Sequence, residues 1–282
     1  MTADMTRLKI RKVGIILKQG SPAARAIGEE LAAWFAAKAI QTGFDAITPD
    51  LDMLLILGGD GTLLHVADQA SLLRIPVVGI NLGDLGFLTE VAVSERYADL
   101  ETIITSPVTI EERMMLKGRR RCGGDTTAWH HALNDVVITK GSSDQVVSLS
   151  AWADDELITT YKADGLIFST PTGSTAYNLS AGGPIVHPGL RSILVTPICP
   201  FMLESRALLL PAAFRLRAMV AGLAGPVRVM VDGRLVWDMG EKDILEVEAM
   251  DTPLRLVSAP RKGYFNILRS KLNWGGGRIA PP

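Results

Sequence analysis

The spacing of apolar residues in the first third of the chain alternates between two periods. Three short apolar runs predict buried strands, at residues 13–17, 53–57 and 75–80. After the first run, Ser21 and Pro22 have the pattern of a helix N-cap followed by proline at the first helical position. Apolar residues then recur at helical spacing, at Ile27, Leu31, Trp34 and Phe35. This alternation of strand and helix predicts a parallel α/β sheet.

The pattern changes near Pro107 to a period of two. Residues 214–218 alternate between apolar and charged, and residues 227–231 lead through Asp232-Gly233 into residues 235–237, a strong hairpin signal. Further short strands are predicted at residues 147–151, 244–247 and 254–257. We therefore predict an α/β domain over residues 1–107 and a β-rich, sandwich-like domain over residues 108–258. In the tail, residues 259–282, Tyr264, Phe265, Leu268 and Leu272 have helical spacing, and glycines 275–277 follow, which predicts a helix. The spacing does not say where this helix buries its apolar stripe; we expect it to pack back on the first domain.

A glycine turn follows the strand at residues 53–57, with the sequence Gly58-Gly59-Asp60-Gly61-Thr62. Glycines let a ligand approach the backbone, and free N–H groups at a helix start favour an anion. Asp60 would repel a phosphate unless a metal ion or a proton transfer gives its carboxylate a role. A plain strand-to-helix connection is the alternative. A second glycine loop, at residues 81–86, also follows a predicted strand, and ligands bind at the carboxyl ends of parallel strands.

Two later segments also carry candidate chemistry. Residues 164–184 crowd small and hydroxyl side chains around the lone aromatic Tyr177, which favours a pocket for a ribose, a base and phosphates over an ordinary polar loop. Asn134-Asp135 precedes a strand and could grip a ribose or form a simple turn. His65, four residues after Gly61, either faces the phosphates or is a half-buried helix histidine. The other histidines (His130, His131 and His187) lack metal-ligand spacing, so we interpret them as structural.

Composition narrows the possible classes of protein. The length of 282 residues fits one large or two ordinary domains, and a net charge of −1 gives no general attraction for nucleic acid. The basic run at residues 119–121 is predicted to be a solvated hairpin loop, with a phosphate-binding arm as the alternative. Two cysteines make no disulfide framework. Charges and prolines interrupt the apolar region 193–224, and no signal peptide is evident at the start, so we expect a cytoplasmic protein without a membrane span.

Three motifs together resemble the NAD kinase family. They are the Gly58–Thr62 turn, the pair Asn134-Asp135, and the stretch from Thr170 to Tyr177, in that order and at family-like distances. The resemblance covers nearly the whole chain. The first motif is shared with diacylglycerol and sphingosine lipid kinases and, more loosely, with phosphofructokinase, whereas the third is more specific.

The resemblance implies a doubly wound N-terminal α/β domain, a C-terminal β-sandwich and a final helix that returns to the first domain. It implies transfer of the γ-phosphoryl group of ATP, with a divalent metal such as Mg²⁺, to the 2′-hydroxyl of the adenosine ribose of NAD, giving NADP. Asp60 would accept the proton or hold the metal, and Gly61 and His65 would line the NAD site. The dinucleotide would be bound by Asn134, Asp135, Asp164, Thr175, Ala176, Tyr177, Asn178, Leu179 and Ser180. The resemblance also implies a homo-oligomer, dimer or tetramer, whose site can include residues of a neighbouring subunit.

Two positions depart from the family pattern. Arg234 stands where many relatives have Gln, and its cation could meet a phosphate or face solvent. Lys162 stands where relatives often have Arg, and we hypothesise that its charge meets a phosphate of the dinucleotide or of ATP. Two other functions remain as alternatives. A lipid kinase would need an apolar or membrane-facing patch, and a non-catalytic dinucleotide sensor would have no need for Asp60.

Overall fold

The computed structural model describes residues 5–83, 86–141, 146–202, 204–222, 227–258 and 263–274. The chain divides into two compact units. The first comprises Met1–Glu112 together with Leu254–Pro282, and the second is Arg113–Pro253. The change of period predicts domain boundaries after residues 107 and 258. The first unit also includes residues 108–112 and 254–258, which that prediction places in the β-rich domain. Among the described residues, no helix combines the length and apolar character needed to cross a membrane.

The elements up to residue 113 alternate largely as predicted. In chain order they are β1 (Met5–Thr6), β2 (Lys12–Leu17), α1 (Pro22–Ala36), β3 (Gln41–Phe44), β4 (Met53–Gly58), α2 (Asp60–Leu64), α3 (Ala67–Leu72), β5 (Val77–Asn81), β6 (Val91–Ala92), a 3₁₀ turn (Val93–Glu95), α4 (Arg96–Thr105) and β7 (Val108–Arg113).

Strands dominate the remainder of the chain. They are β8 (Leu116–Cys122), β9 (Asp125–Thr126), β10 (His130–Ala132), β11 (Asp135–Lys140), β12 (Val147–Ala153), β13 (Glu156–Ala163), β14 (Gly165–Ser169), β15 (Ser192–Ile198), β16 (Leu208–Pro211), β17 (Leu216–Gly222), β18 (Val227–Val231), β19 (Arg234–Met239), β20 (Ile244–Ala249) and β21 (Leu254–Val257). A 3₁₀ turn (Gly173–Thr175) and α5 (Tyr177–Ser180) lie between β14 and β15, and α6 (Tyr264–Leu272) follows β21.

The first unit is built on a largely parallel sheet. Its strand order is β1-β7-β21-β5-β4-β2-β3, with β6 beside β5. β4 pairs in parallel with β2 and β5, and all six of its residues are buried. A continuous apolar run is typical of a parallel strand that is covered on both faces. The predicted α/β sheet is confirmed, and the carboxyl ends of β4 and β5 lie side by side, with Gly58 opposite Asn81.

Helix α1 begins as its sequence predicts. Ser21 Oγ accepts a hydrogen bond from the backbone N–H of Ala24 at 3.2 Å, and Pro22 occupies the first helical position. Leu31 and Phe35 are fully buried in the core that covers this sheet. Full burial of such a side chain contributes about 1.5–3 kcal/mol, so the apolar stripe accounts for the docking of α1.

The strand at residues 254–257 is predicted to belong to the β-rich domain, but it lies in the sheet of the first unit. As β21 it lies between β7 and β5 in the first sheet, in parallel with β5. A period of two identifies a strand but not its neighbours, because strand pairing is set by the tertiary fold. The predicted C-terminal helix is confirmed as α6 within the first unit, and it ends with Asn273 in the left-handed conformation, at φ 52°. The glycines at 275–277 lie outside the described residues.

The second unit is a β-sandwich, as predicted. One sheet has the order β10-β8-β20-β17-β12-β13, with β9 beside β8, and the other has the order β16-β15-β14-β11-β18-β19. Side chains from both sheets, such as Phe168 and Leu245, share one buried core. The alternate residues Val137, Ile167 and Ile198 point to the opposite face of the second sheet, where Ala181 packs on them. The loop that follows β14 is therefore anchored on the outer face of this sheet.

The basic run at residues 119–121 is not the predicted hairpin loop. It lies within strand β8, which pairs with β20, and the turn comes afterwards at residues 123–124. Arg119 Nε lies 2.7 Å from a Glu246 carboxylate oxygen, and Arg121 Nη1 lies 3.3 Å from the other. Arg120 Nη1 lies 3.7 Å from Asp243. The three arginines thus pair with two carboxylates, Glu246 on β20 and Asp243 just before it, so most of the charge that a phosphate-binding arm would use is paired within the unit.

Candidate functional site

The glycine turn after β4 has open space beside two of its three glycines. A Cβ atom at Gly58 would lie 2.3 Å from Thr62 Oγ1, so internal packing requires glycine there. No described atom lies within 4 Å of a Cβ built on Gly59 or Gly61, and neither has a positive φ. Internal packing and backbone strain therefore do not account for glycine at 59 and 61. The open space beside this backbone suits the close approach of a ligand.

Asp60 is the first residue of α2, and its carboxylate accepts four hydrogen bonds. Its Oδ2 accepts from the backbone N–H of Phe87 at 2.9 Å. Its Oδ1 accepts from the N–H groups of Leu88 and Thr89, both at 3.1 Å, and from the Thr89 hydroxyl at 3.0 Å. A Cβ at Gly86 would lie 2.0 Å from Oδ1. The segment 86–89 therefore wraps around the carboxylate and fixes its position.

Asn81, at the end of β5, extends this network. Its side-chain N–H donates to Thr89 Oγ1 at 2.8 Å, and its side-chain oxygen accepts from Gly83 N at 2.8 Å. Both Asn81 and Thr89 are buried, which joins the ends of β4 and β5 through polar groups. Asn81 is the first residue of the second glycine loop predicted from the sequence, but neither it nor Thr89 is among the predicted binding residues. In the second glycine loop, Asp84 and Leu85 lie outside the described residues.

His65 follows the last residue of α2 and is exposed. It is therefore not the half-buried helix histidine of the alternative interpretation. The predicted single helix is in fact two short ones, since α3 begins only at Ala67. Of the other histidines, His130 stacks edge-on against Trp237 and His187 accepts a hydrogen bond from Gly189 N–H. In the described part of the chain, no group of three or more His, Cys, Asp or Glu side chains could hold a metal ion.

Asn134 and Asp135 are held by a carboxylate from a distant turn. Asp232, in the hairpin between β18 and β19, accepts backbone hydrogen bonds from Leu133 at 2.8 Å, Asn134 at 2.8 Å and Asp135 at 3.1 Å. In return, the Asp232 N–H donates to the Asp135 carbonyl at 3.0 Å. The pair is thus part of a cross-strand structure that is more elaborate than a simple turn.

The side chain of Asp135 lies in an unfavourable place for a carboxylate. It is 5% exposed. Burial, together with the nearby negative charge of Asp232, raises the pKa of Asp135 to about 7. No hydrogen bond from a described residue offsets this rise in pKa. A buried acid with a strongly raised pKa is a feature of functional sites.

The loop after β14 lies directly over Asn134. The Thr170 hydroxyl donates to the Leu133 carbonyl at 2.6 Å, and Thr170 N–H donates to the Asn134 carbonyl at 2.9 Å. A Cβ at Gly173 would lie 2.2 Å from the Asn134 carbonyl oxygen, so only glycine allows this close approach. The structure therefore brings together two motifs that lie 36 residues apart by the numbers of Asn134 and Thr170.

The predicted binding residues 175–180 differ in where their side chains lie. Asn178 is fully buried, donates to the carbonyls of Ser174 and Pro184, both at 3.1 Å, and accepts from the Thr196 hydroxyl at 2.7 Å. Its side chain therefore shapes the loop from inside. Tyr177 is 44% exposed. Ser180 is exposed as well, and Thr175, Ala176 and Leu179 are partly exposed.

Tyr177 lies among several ionisable groups. Burial and the neighbouring Cys199, Asp135 and Asp164 raise the pKa of its hydroxyl. Asp164 also forms an ion pair with Lys140 at 2.8 Å. The structure thus gathers Asp135, Asp164 and Tyr177 into one region of the second unit. Both Lys162, on β13, and Arg234, the first residue of β19, are exposed.

The predicted site residues fall into two sets. Asp60, Gly61 and His65 belong to the first unit, and the remaining predicted residues, from Asn134 to Arg234, belong to the second. In each unit a carboxylate accepts backbone hydrogen bonds near part of the set: Asp60 accepts from residues 87–89, and Asp232 accepts from residues 133–135.

Comparison with known proteins gives two family matches. Residues 37–108 match the ATP-NAD kinase N-terminal domain, and residues 133–259 match the ATP-NAD kinase C-terminal domain. The first match includes the glycine turn. The second includes Asn134-Asp135, the loop after β14 and the Asp232 hairpin.

Relatives and solved structures agree with these matches. The chain is 41% identical to the NAD kinase of Heliobacterium modesticaldum, covering 93% of this chain and 99% of that protein. It is 39% identical to the NAD kinase of Geobacter metallireducens, covering 94% and 99%. The structure resembles yeast NADH kinase complexed with NADH, with a TM-score of 0.86, 27% identity, and coverage of 97% of this chain and 91% of that chain. An NAD kinase from Archaeoglobus fulgidus in complex with ATP shares the fold, with a TM-score of 0.73, 19% identity, and coverage of 93% and 98%. This chain belongs to the ATP-NAD kinase family.

Proposed function

We propose that this protein transfers the γ-phosphoryl group of ATP to the 2′-hydroxyl of the adenosine ribose of NAD, giving NADP. The observation that carries the proposal is Asp60, a fixed carboxylate between two glycines that leave open space beside the backbone. Family membership supports the choice of substrates, since the matched domains and the relatives are those of NAD kinases.

The glycine turn would place the phosphates. Backbone N–H groups at a strand-to-helix turn supply fixed partial positive charge, and Gly59 and Gly61 put no side chain in the way. Phosphoryl transfer depends on alignment and charge neutralisation more than on covalent help, so an open backbone turn suits the reaction.

Asp60 would act as the proton acceptor for the ribose hydroxyl. A carboxylate has about four lone-pair sites on its two oxygens. Oδ1 accepts three hydrogen bonds from Leu88 and Thr89, whereas Oδ2 accepts only that of Phe87 N among the described residues. Oδ2 is therefore the oxygen with room for the 2′-hydroxyl proton. General base catalysis of this kind contributes about 10²–10⁴-fold to a rate.

A divalent metal ion would enter as part of the nucleotide substrate. Mg²⁺ is usually held by the phosphates of the nucleotide together with one or two carboxylates, so the protein need not supply a full set of ligands. Asp60 is the carboxylate of the glycine turn that would face such a complex. The chemistry that the ion supplies is neutralisation of phosphate charge.

The second unit would hold the dinucleotide. Asp135 is a buried acceptor, and its ionised form binds ribose hydroxyls through charge-assisted hydrogen bonds. Tyr177 is exposed enough to contact a base or ribose, and residues 175–180 present it from a loop that Asn178 holds in place. Asn134 and Asp164 belong to the set that the family pattern predicts, and the exposed cation of Arg234, which departs from that pattern, would meet a phosphate.

Lys162 is exposed on β13, and we propose that it meets a phosphate of the dinucleotide or of ATP. Lys162→Ala should raise the KM for one of the two substrates several-fold, while Lys162→Arg, which keeps the charge, should stay close to the wild-type value. Unchanged Michaelis constants in the alanine variant would remove Lys162 from the site.

A product assay separates the proposed function from a lipid kinase and a dinucleotide sensor. Purified protein is incubated with ATP, Mg²⁺ and either NAD or a diacylglycerol, and NADP is measured with an NADP-specific dehydrogenase. We expect NADP and no lipid phosphate. Lipid phosphate without NADP would favour the lipid kinase, and dinucleotide binding without either product would favour the sensor.

The cytoplasmic location and the homo-oligomer stay predictions. Cell fractionation can test the location, and light scattering can test the oligomeric state.

A further inference from the structure

The turn between β18 and β19 carries a carboxylate that the family pattern gives no role. Asp232 has a φ of 46° and Gly233 a φ of 78°, which are the left-handed conformations of a tight hairpin turn. Asp-Gly is a preferred sequence for such a turn, so the backbone conformation alone does not decide between aspartate, asparagine and glycine at this position. The hairpin itself would form with asparagine or glycine at this position.

The contacts of the Asp232 carboxylate favour aspartate at this position. Both of its oxygens accept hydrogen bonds, and all three donors are consecutive backbone N–H groups of Leu133, Asn134 and Asp135, at 2.8 to 3.1 Å. Three consecutive donors on one carboxylate fix the backbone that carries the proposed dinucleotide-binding pair. The charge also lies close enough to oppose ionisation of Asp135.

We propose that Asp232 is a positioning residue for dinucleotide binding, which fixes Asn134 and Asp135 through their backbone and does not itself touch the substrate. This inference rests on the proposed function for the identity of the ligand. Arg234, at a position where many relatives have Gln, lies two residues further along the chain and is exposed. The positioning role of Asp232 does not depend on a contact between Arg234 and the ligand.

The negative charge of Asp232 has a second effect, on the protonation of Asp135. Among the described residues, the ionisable groups whose charges act on Asp135 include Asp232 from the hairpin and Tyr177 from α5, and Tyr177 in turn lies near Asp164 and Cys199. Because Asp135 has a pKa of about 7, its ionised form becomes the main form only above neutral pH. NAD affinity should therefore rise with pH through about 7, and loss of the Asp232 charge should move this rise to lower pH.

The test compares two substitutions in the full-length protein. Asp232→Asn removes the charge and keeps one side-chain oxygen as acceptor, while its NH₂ group takes the place of the other oxygen and faces a backbone N–H. Asparagine tolerates the left-handed conformation. Asp232→Gly removes the acceptor as well and has no steric conflict with a φ of 46°. Calorimetric Kd values for NAD, and the KM and kcat, are measured from pH 5.5 to 8.5. The pH dependence of chemical unfolding is measured in parallel without ligand, in each variant and in the matching double variants with Asp135→Asn.

We expect Asp232→Gly to raise the Kd and KM for NAD about ten-fold or more while kcat changes less than about three-fold, because the backbone donors lose their partner. Asp232→Asn should shift the pH midpoint of NAD affinity, and of unfolding, downward by about one unit. The shift should vanish in the double variant with Asp135→Asn. Wild-type affinity and an unshifted midpoint in both variants would overturn the proposal. If the wild type does not bind NAD, the proposed function fails, and the ligand-free unfolding midpoints still decide whether Asp232 acts on Asp135.

Discussion

At the scale of single residues, the two proposed sets of site residues, one in each unit, use carboxylates in opposite ways. Asp60 accepts four hydrogen bonds and is held in place by them. Asp135 is nearly buried and lies beside a second negative charge. A protein gains no stability from an ionised Asp135, so its presence is best explained by the ligand that it binds.

The position of Asp135 predicts a pH-dependent cost to stability. Its pKa is raised from 3.8 to about 7, so the folded state holds a proton that the unfolded state has released in this range. Protonated Asp135 therefore stabilises the folded state relative to ionised Asp135. This contribution is fully present below about pH 4, near the pKa in the unfolded chain, and is lost as pH rises through about 7. Asp135→Asn should therefore raise the free energy of unfolding at pH 8 on the order of 2–4 kcal/mol, with little change at pH 4. Urea unfolding at both pH values measures the difference.

The control is Asp155→Asn, since the Asp155 side chain is fully exposed and its ion pair with Arg217, at 3.1 Å, is of the surface type that contributes little to stability. We expect it to leave stability unchanged at both pH values. The same Asp135→Asn protein should bind NAD more weakly than the wild type. An Asp135→Asn protein less stable than the wild type at pH 8 would show that the carboxylate has stabilising partners, which a raised pKa does not allow.

At the scale of elements, the apolar pattern predicts strands and helices well and their partners poorly. The helix α1 and the hairpin β18–β19 follow from capping and turn residues that act locally. The strand β21 joins the first sheet, and residues 119–121 form a strand whose charges pair with β20, both through contacts between distant parts of the chain.

The predicted site residues show a similar limit, because the sequence does not indicate which of their side chains are buried. The motif around Tyr177 is visible in the sequence. The burial of Asn178 within it depends on hydrogen bonds with Thr196 and Pro184, which lie further along the chain.

The glycines of the two proposed binding loops should respond differently to alanine. Gly61→Ala adds a methyl group in open space within α2, so stability should stay the same or rise by about 0.5–1 kcal/mol. Gly173→Ala forces a Cβ to within 2.2 Å of the Asn134 carbonyl oxygen and should destabilise the second unit. Thermal unfolding monitors both changes.

Activity separates the two substitutions further. If phosphates approach the backbone at Gly61, Gly61→Ala should lower kcat/KM at least ten-fold in a protein that is as stable as the wild type. Wild-type kcat/KM in that variant would show that the open space beside Gly61 is not used by a substrate.

At the scale of the whole molecule, the two units have separate hydrophobic cores. One unit is formed by a single segment of the chain and the other by two segments. The sandwich is one continuous segment, 113–253, whose ends are joined by a hydrogen bond from Met250 N to Met115 O at 2.8 Å. The first unit needs both ends of the chain, because β21 lies in its sheet between β7 and β5. The change of composition near Pro107 indicates two domains, but the return of β21 is not evident from the local pattern.

Because the second unit is one continuous segment and the first unit is two, the two units should behave differently when expressed as fragments. Residues 113–253 expressed alone should unfold cooperatively in urea, since the segment contains both sheets and their shared core. Residues 1–112 alone should not, because their sheet lacks β21, a strand with neighbours on both sides. Circular dichroism of the two fragments checks both expectations. A cooperative transition in 1–112 would mean that β21 is dispensable for this sheet.

The central claim is that Asp60 accepts the proton during transfer of a phosphoryl group to NAD, and it is tested most directly by kcat in Asp60→Asn. Because the amide introduced by this substitution would present an N–H to one of the backbone donors of residues 87–89, the change also disturbs their loop. Thr89→Val provides the control, as it removes a hydroxyl donor to Asp60 and an acceptor for Asn81 but keeps the carboxylate.

The measurement is NADP formation by both variants under saturating substrates, with the Kd for NAD determined separately by calorimetry. We predict that Asp60→Asn lowers kcat about 10²–10⁴-fold with NAD affinity nearly unchanged. Thr89→Val should lower kcat less than about ten-fold. Equal losses in the two variants would mean that Asp60 acts only by ordering the loop, and near-normal turnover in Asp60→Asn would contradict the central claim outright.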